Sequence, residues 1–198
     1  MPAPAVAVKP AMPDALAGEA LYISGDAKRG VVACVGCHGA NGNSAAGTWP
    51  KLSAQGSAYI VKQLKNYKDG TRANPIMMGM VAALTDQDMA NIAAYLRKQQ
   101  ATGGVAQSKE TIELGKTIYQ AGIAAKGVPA CAGCHSPNGV GVPAQYPRLS
   151  GQWAEYTSAQ LGYFRDGTRK NGASMTTIAS KLSDLEIKAV SDYMAGLR

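Results

Sequence analysis

Two five-residue stretches decide how this chain is read: Cys34-Val35-Gly36-Cys37-His38 and Cys131-Ala132-Gly133-Cys134-His135. Together they hold all four cysteines and both histidines of the 198 residues. C-x-x-C-H is the pattern of covalent c-type haem attachment. Two thiols three positions apart on a turn can bond the two vinyl groups along one porphyrin edge, and the adjoining histidine then reaches under the ring to the iron. The expectation is two covalently bound haem c groups, one on Cys34 and Cys37 with His38 as axial ligand, the other on Cys131 and Cys134 with His135. Other uses of these residues fit less well. A structural zinc takes four ligands, and each cluster offers three; one metal shared between the clusters leaves His38 and His135 redundant. A thioredoxin-like dithiol needs a strand–helix context that is missing here, and a disulfide between such near neighbours is strained.

The 97-residue offset between the two motifs extends outward from them. Tyr22 falls on Tyr119, Gly30 on Gly127, Asn41-Gly42 on Asn138-Gly139, and Pro50 on Pro147. Lys51-Leu52-Ser53 meets Arg148-Leu149-Ser150. Gln55, Tyr59, Gln63 and Leu64 meet Gln152, Tyr156, Gln160 and Leu161, and Asp69-Gly70-Thr71-Arg72 recurs as Asp166-Gly167-Thr168-Arg169. One inserted residue then shifts the offset to 98: Leu84 to Leu182, Asp88 to Glu186, Tyr95 to Tyr193. The chain is two copies of one unit. Residues 99–108 are polar and contain glycine, as a linker does, so the expected organisation is a domain over 14–101, a linker at 102–108 and a second domain over 109–198. Met1–Pro13, rich in Ala and Pro, reads as an extended arm or a remnant of processing.

Composition limits the alternatives. Charged residues are 17%, too few for charge-driven disorder. No run approaches 18 apolar residues, so no transmembrane helix is expected. Aromatics are 6%, with a single Phe; each half has too little side-chain bulk for a full core, and something else must fill its interior. The net charge of +7 raises the question of nucleic acid. No basic run exceeds two residues, however, and the basic residues are spread over both halves, so the charges read as solvated faces.

Each unit closes with a helical pattern. Thr85 and Ser183 sit at N-cap positions, Ser183 and Glu186 forming a capping box. Met89, Ile92, Ala93 and Leu96 follow at helical spacing, as do Ile187, Val190 and Met194. Further helical patterns lie near 57–68 and 154–165, with short ones before each C-x-x-C-H. Strand signals are weak, so the fold class is all-α in two small domains.

With both histidines used, bis-His ligation is excluded, and methionine is the soft candidate for the sixth iron ligand. The second unit offers Met175 and Met194, and Met194 lies on the core face of the last helix. Met175 stands seven residues before Leu182, and seven before Leu84 stands Met77. The choice is therefore Met77 and Met175, with Met78 and Met80 as competitors in the first unit. A Lys or Asn ligand, or an open site, has no positional support. Pro50 and Pro147 each lie 12 residues beyond the histidine. Either a carbonyl there accepts the other imidazole N–H, or the proline only sets a turn.

These residues resemble a duplicated class I c-type cytochrome, and specifically the di-haem cytochrome c4 family of bacteria, over about 19–198. The resemblance rests on C-V-G-C-H-G-A-N-G-N-S at 34–44, C-A-G-C-H-S-P-N-G-V-G at 131–141, W-P-K-L-S-A-Q, Y-P-R-L-S-G-Q, the two D-G-T-R runs and L-T-D-Q-D-M-A-N-I-A-A-Y-L. It implies two tandem class I cytochrome c domains related by pseudo-two-fold symmetry, with haem propionates near the domain interface. It also implies one His/Met haem per domain, held by Cys34, Cys37, His38 and Met77 and by Cys131, Cys134, His135 and Met175. Pro50 and Pro147 match the proline whose carbonyl bonds the axial histidine. The implied role is electron transfer, one electron per haem, in a bacterial respiratory chain. Transient partners would be membrane-bound complexes, a quinol-oxidising donor and a terminal-oxidase acceptor. The alternatives are a cytochrome subunit of a larger dehydrogenase, and a di-haem peroxidase or sulfur-oxyanion oxidoreductase; an enzyme would need an open iron flanked by acid–base groups. Haem attachment requires export, so the expected compartment is the periplasm. Ala3–Val8 is too short and lacks the basic flank of a signal peptide, which is therefore expected to be absent from this numbering.

Overall fold

The structure is a computed structural model and describes residues 11–198. Most of the expected N-terminal arm, residues 1–10, lies outside the described residues. The first unit contains α1 (Ala15–Ser24), α2 (Val35–His38), α3 (Ser57–Lys68), α4 (Pro75–Val81) and α5 (Asp86–Lys98). The second repeats them as α6 (Ile112–Ala121), α7 (Ala132–His135), α8 (Ala154–Arg165), α9 (Ala173–Ala179) and α10 (Asp184–Gly196). Among the described residues, β pairing is confined to isolated bridges.

In each unit the first helix crosses the last, α1 on α5 and α6 on α10. A glycine lies at each crossing. A Cβ on Gly18 would meet the Asn91 carbonyl oxygen at 2.0 Å, and one on Gly115 would meet that of Ala189 at 2.2 Å. Two helix backbones can approach this closely only where one carries no side chain. Around the crossings Tyr22, Met89, Ile92, Ala93 and Leu96 form one core, and Ile118, Tyr119, Ile187, Val190 and Met194 the other. The last helices open on capping boxes in both units. The Thr85 box is completed by Asp88, whose shorter carboxylate still accepts from the Thr85 N–H at 2.9 Å.

The helices α4 and α9 were not evident from the sequence. Asn74 caps α4, accepting from the Met77 N–H at 2.9 Å, with Pro75 in the first turn. The single inserted residue changes this end of the second unit. Asn171 sits one residue further from its helix, Gly172 takes the N-cap position, and the Asn171 amide instead donates to Gln63 Oε1 and Asn66 Oδ1 of the first unit, both at 2.9 Å.

The units meet in a reciprocal seam. The Gln55 amide donates to the Arg148 carbonyl at 3.0 Å and accepts from the Arg148 N–H at 2.9 Å. The counterpart Gln152 treats Lys51 in the same way, both at 2.9 Å. Arg72 reaches Tyr156 and Gln160 of the second unit, and Arg169 reaches Tyr59 and Gln63 of the first. Each residue contacts the counterpart of the residue that contacts its own counterpart, which is the signature of a two-fold relation. Residues 101–108 carry no regular structure yet are not a free tether. Lys51 Nζ donates to the Thr102 and Gly103 carbonyls, and Asp192 accepts from the Gln107 and Ser108 N–H groups.

Repeat positions also expose local strain. Gly151 has φ 71°, while its counterpart Ala54 has φ 56°. The left-handed conformation costs an L-residue about 1–2 kcal/mol, of which the added unfolded-state freedom of glycine cancels part. Ala54→Gly is expected to stabilise the protein by about 0.5–1 kcal/mol in urea unfolding, whereas Gly151→Ala is expected to destabilise it.

Candidate haem sites

Cys34 precedes α2 and Cys131 precedes α7, single helical turns that carry Cys37-His38 and Cys134-His135 at their ends. The His38 and Cys37 N–H groups both donate to the Cys34 carbonyl, and the second unit repeats this around Cys131. Sequence neighbours thereby turn onto one wall. Tyr22, fully buried, donates its hydroxyl to the Gly39 carbonyl at 2.8 Å, and Tyr119 does the same to Ser136 at 2.6 Å. These tyrosines pin the residue after each histidine. Their repeat at the 97-residue offset marked them in the sequence, but a role could not be read there. Gly39 and Ser136 share φ 71°. The serine tolerates it while its Oγ donates to the Gly141 carbonyl at 2.9 Å.

Both histidines are buried. His38 Nδ1 lies 3.0 Å from the Pro50 carbonyl and His135 Nδ1 3.0 Å from that of Pro147. A carbonyl only accepts, so Nδ1 carries the proton and Nε2 presents its lone pair. Burial lowers the pKa of both rings more than the carbonyls raise it, which keeps them neutral. A neutral imidazole oriented through its other nitrogen is the standard form of a metal ligand. Of the two readings of Pro50 and Pro147, the geometry selects the hydrogen-bonded one.

The sulfur chemistry narrows the options. Burial pushes the Cys34 and Cys131 thiols up to about 11, the reverse of the depressed pKa of a reactive dithiol. Among the described residues no cluster of three or more His, Cys, Asp and Glu side chains could hold a bare metal ion. Met77 packs against the same core as Cys34, and Met175 against the same core as Cys131. Met78 is exposed, and Met80 is not part of that packing.

Arg72 and Arg169 are both buried beside one another at the seam. Their guanidiniums donate to neutral oxygens of Gln63, Gln160, Asn171, Tyr59 and Tyr156, and neither forms an ion pair among the described residues. A buried charge without a counter-charge is costly, so the seam suits an anionic group. The two D-G-T-R runs were visible as repeats, but only the packing brings their arginines together and buries them.

Each half therefore offers two thiols, an oriented imidazole, a thioether and a buried cation, the donors that a haem with its propionates requires. The family model for cytochrome c matches twice, at residues 15–100 and 112–198. A cytochrome c4 of Azotobacter vinelandii is 45% identical over 192 residues, covering 89% of this chain and 91% of that protein. This chain belongs to the cytochrome c4 family. The crystal structure of reduced recombinant cytochrome c4 from Pseudomonas stutzeri superposes with a TM-score of 0.85 at 40% identity, covering 94% of this chain and all of that one. Membership in the family makes the protein a di-haem electron-transfer cytochrome with two covalently bound haem c groups. A thiosulfate dehydrogenase (TsdBA) from Marichromatium purpuratum also superposes with a TM-score of 0.85, at 33% identity, over 92% of this chain and 40% of that one.

Proposed function

We propose that the protein is a periplasmic carrier in a bacterial respiratory chain, which takes electrons from a membrane-bound quinol-oxidising complex and passes them to a terminal oxidase. Its two haem units span 14–101 and 109–198, joined by 102–108. Cys34, Cys37, His38 and Met77 would hold one haem; Cys131, Cys134, His135 and Met175 would hold the other. The observation that carries this reading is the pair of histidine–proline contacts at 3.0 Å, the same in both halves. When bound, each haem takes up and releases one electron without a substrate bond being made or broken.

The chain's own residues set the conditions. Pro50 and Pro147 hold the imidazole N–H and raise ring basicity. Met77 and Met175 supply a thioether, which favours ferrous iron and a high potential. Arg72 and Arg169 would offer positive charge to the propionates, which would lower the cost of burying the guanidiniums. Up to about four propionate charges offset part of the +7, which weakens long-range steering. Partners then bind through small, transient contacts. In the described residues no helix is long and apolar enough to cross a membrane.

Three measurements test the reading. Denatured native protein should show the added mass of two haems. A spectroelectrochemical titration should show two low-spin one-electron couples at positive potential. Membranes should oxidise the reduced protein, and terminal-oxidase inhibitors should block that oxidation. A single haem, a high-spin iron, or oxidation indifferent to the inhibitors would defeat it. The likeness to TsdBA supports a second reading, a cytochrome subunit of a larger dehydrogenase. Stable co-purification with such an enzyme would favour it.

A further inference from the structure

The seam is symmetric at Gln55 and Gln152 but not one residue later, where Gly56 stands opposite Trp153. Trp153 of the second unit donates its indole N–H to Ser44 Oγ of the first at 2.9 Å. Ser44 is buried and donates in turn to the Trp49 carbonyl at 2.6 Å. On the far side of Pro50, both the N–H and the carbonyl of Lys51 are bonded to Gln152 at 2.9 Å. The Lys51 ammonium lies over the Trp153 ring, 4.6 Å from its centroid. Both neighbours of Pro50 are thus tied to Gln152 and Trp153, directly or through Ser44. Pro50 is the residue whose carbonyl orients His38.

The second unit keeps the glutamine half of this brace and lacks the tryptophan half. Gly56 has no side chain to send across, and Ser44 is replaced by Gly141. The Tyr146 carbonyl is instead held by the Val142 N–H of its own loop at 3.1 Å, while Gln55 holds Arg148 on the other side of Pro147. The proline of the first unit is therefore braced from the second on both sides, and that of the second from the first on one side alone.

We propose that Trp153 is a positioning residue for the His38 haem: through Ser44 it stiffens the Trp49–Lys51 segment, restrains the Pro50 carbonyl on His38 Nδ1 and makes the two haem potentials unequal. This rests on His38 being the axial ligand. A carbonyl held firmly on Nδ1 keeps the imidazole more basic than one free to swing away and favours ferric iron, so the brace lowers the potential of the first haem alone.

The test uses the di-haem protein with Trp153→Phe, which keeps the ring over Lys51 but removes the N–H, and Ser44→Ala, which breaks the chain of bonds at its middle. The readouts are the two resolved couples in a spectroelectrochemical titration. The ε-methyl NMR signals of Met77 and Met175 in the reduced protein assign each couple to its unit. Each variant is expected to raise the reduction constant of the Met77 haem about threefold, about 30 mV at 59 mV per tenfold for one electron. The Met175 haem should stay in place, and the double variant should shift no further than either single one, since both cut the same chain. Unmoved potentials in a folded variant, or equal shifts at both haems, would overturn the proposal. A wild-type protein without a low-spin His/Met spectrum at the first haem would instead sink the ligand reading beneath it.

Discussion

Met77→His and Met175→His are each expected to lower the potential of one haem and leave the other unchanged. On the proposed ligation the replaced thioether stabilises ferrous iron, whereas a second imidazole donates more strongly to the ferric state. The drop should be on the order of 0.2 V, within the span of about 0.8 V that axial ligands set. Each variant should also lose one of the two sulfur-to-iron charge-transfer bands while both irons remain low-spin. Met78→His and Met80→His are the discriminating controls. Neither residue packs against the core that Met77 shares with Cys34, so both should leave the two couples where they are. A shifted couple in Met78→His with none in Met77→His would reassign the ligand.

Gly18→Ala and Gly115→Ala carry the largest expected stability loss. The incoming Cβ would meet a backbone oxygen at 2.0 Å or 2.2 Å, and a helix carbonyl cannot rotate away as a side-chain tip can. The only relief is to part α1 from α5, or α6 from α10, along the contact that builds each core. We expect a loss of about 3 kcal/mol or more per substitution, at the upper end of overpacking costs, measured by denaturant unfolding of the holo-protein. Gly162→Ala is the contrast. Gly162 lies in α8 with nothing within 4 Å of a built Cβ, so alanine there should stabilise by about 0.5–1 kcal/mol through helix propensity. Equal effects at Gly18 and Gly162 would refute the close-crossing argument.

The two C-x-x-C-H runs and the repeat were legible because attachment chemistry is local. Thiols three positions apart and the next histidine are joined by covalent geometry, whatever the rest of the fold does. The helices α5 and α10 were equally clear, since caps and apolar spacing lie within one segment. The helices that carry Met77 and Met175 were not. They are seven residues long, and their apolar faces are filled out by packing rather than by periodicity. Gly18 and Gly115 carry no local signal for a similar reason: a glycine inside a helical pattern reads as a mild cost until the opposing carbonyl is seen.

The amino-acid sequence alone determined the haem motif, the duplication, the all-α class and the candidate ligands, because each depends on residues close together in the chain or on counting one copy against the other. Only the tertiary structure decided that Pro50 and Pro147 hold the histidines, that Arg72 and Arg169 are buried beside one another, and that Trp153 reaches Ser44 across the seam. Those contacts join residues from 12 to 109 positions apart, and which distant groups meet depends on how whole helices pack, which no short window of sequence encodes.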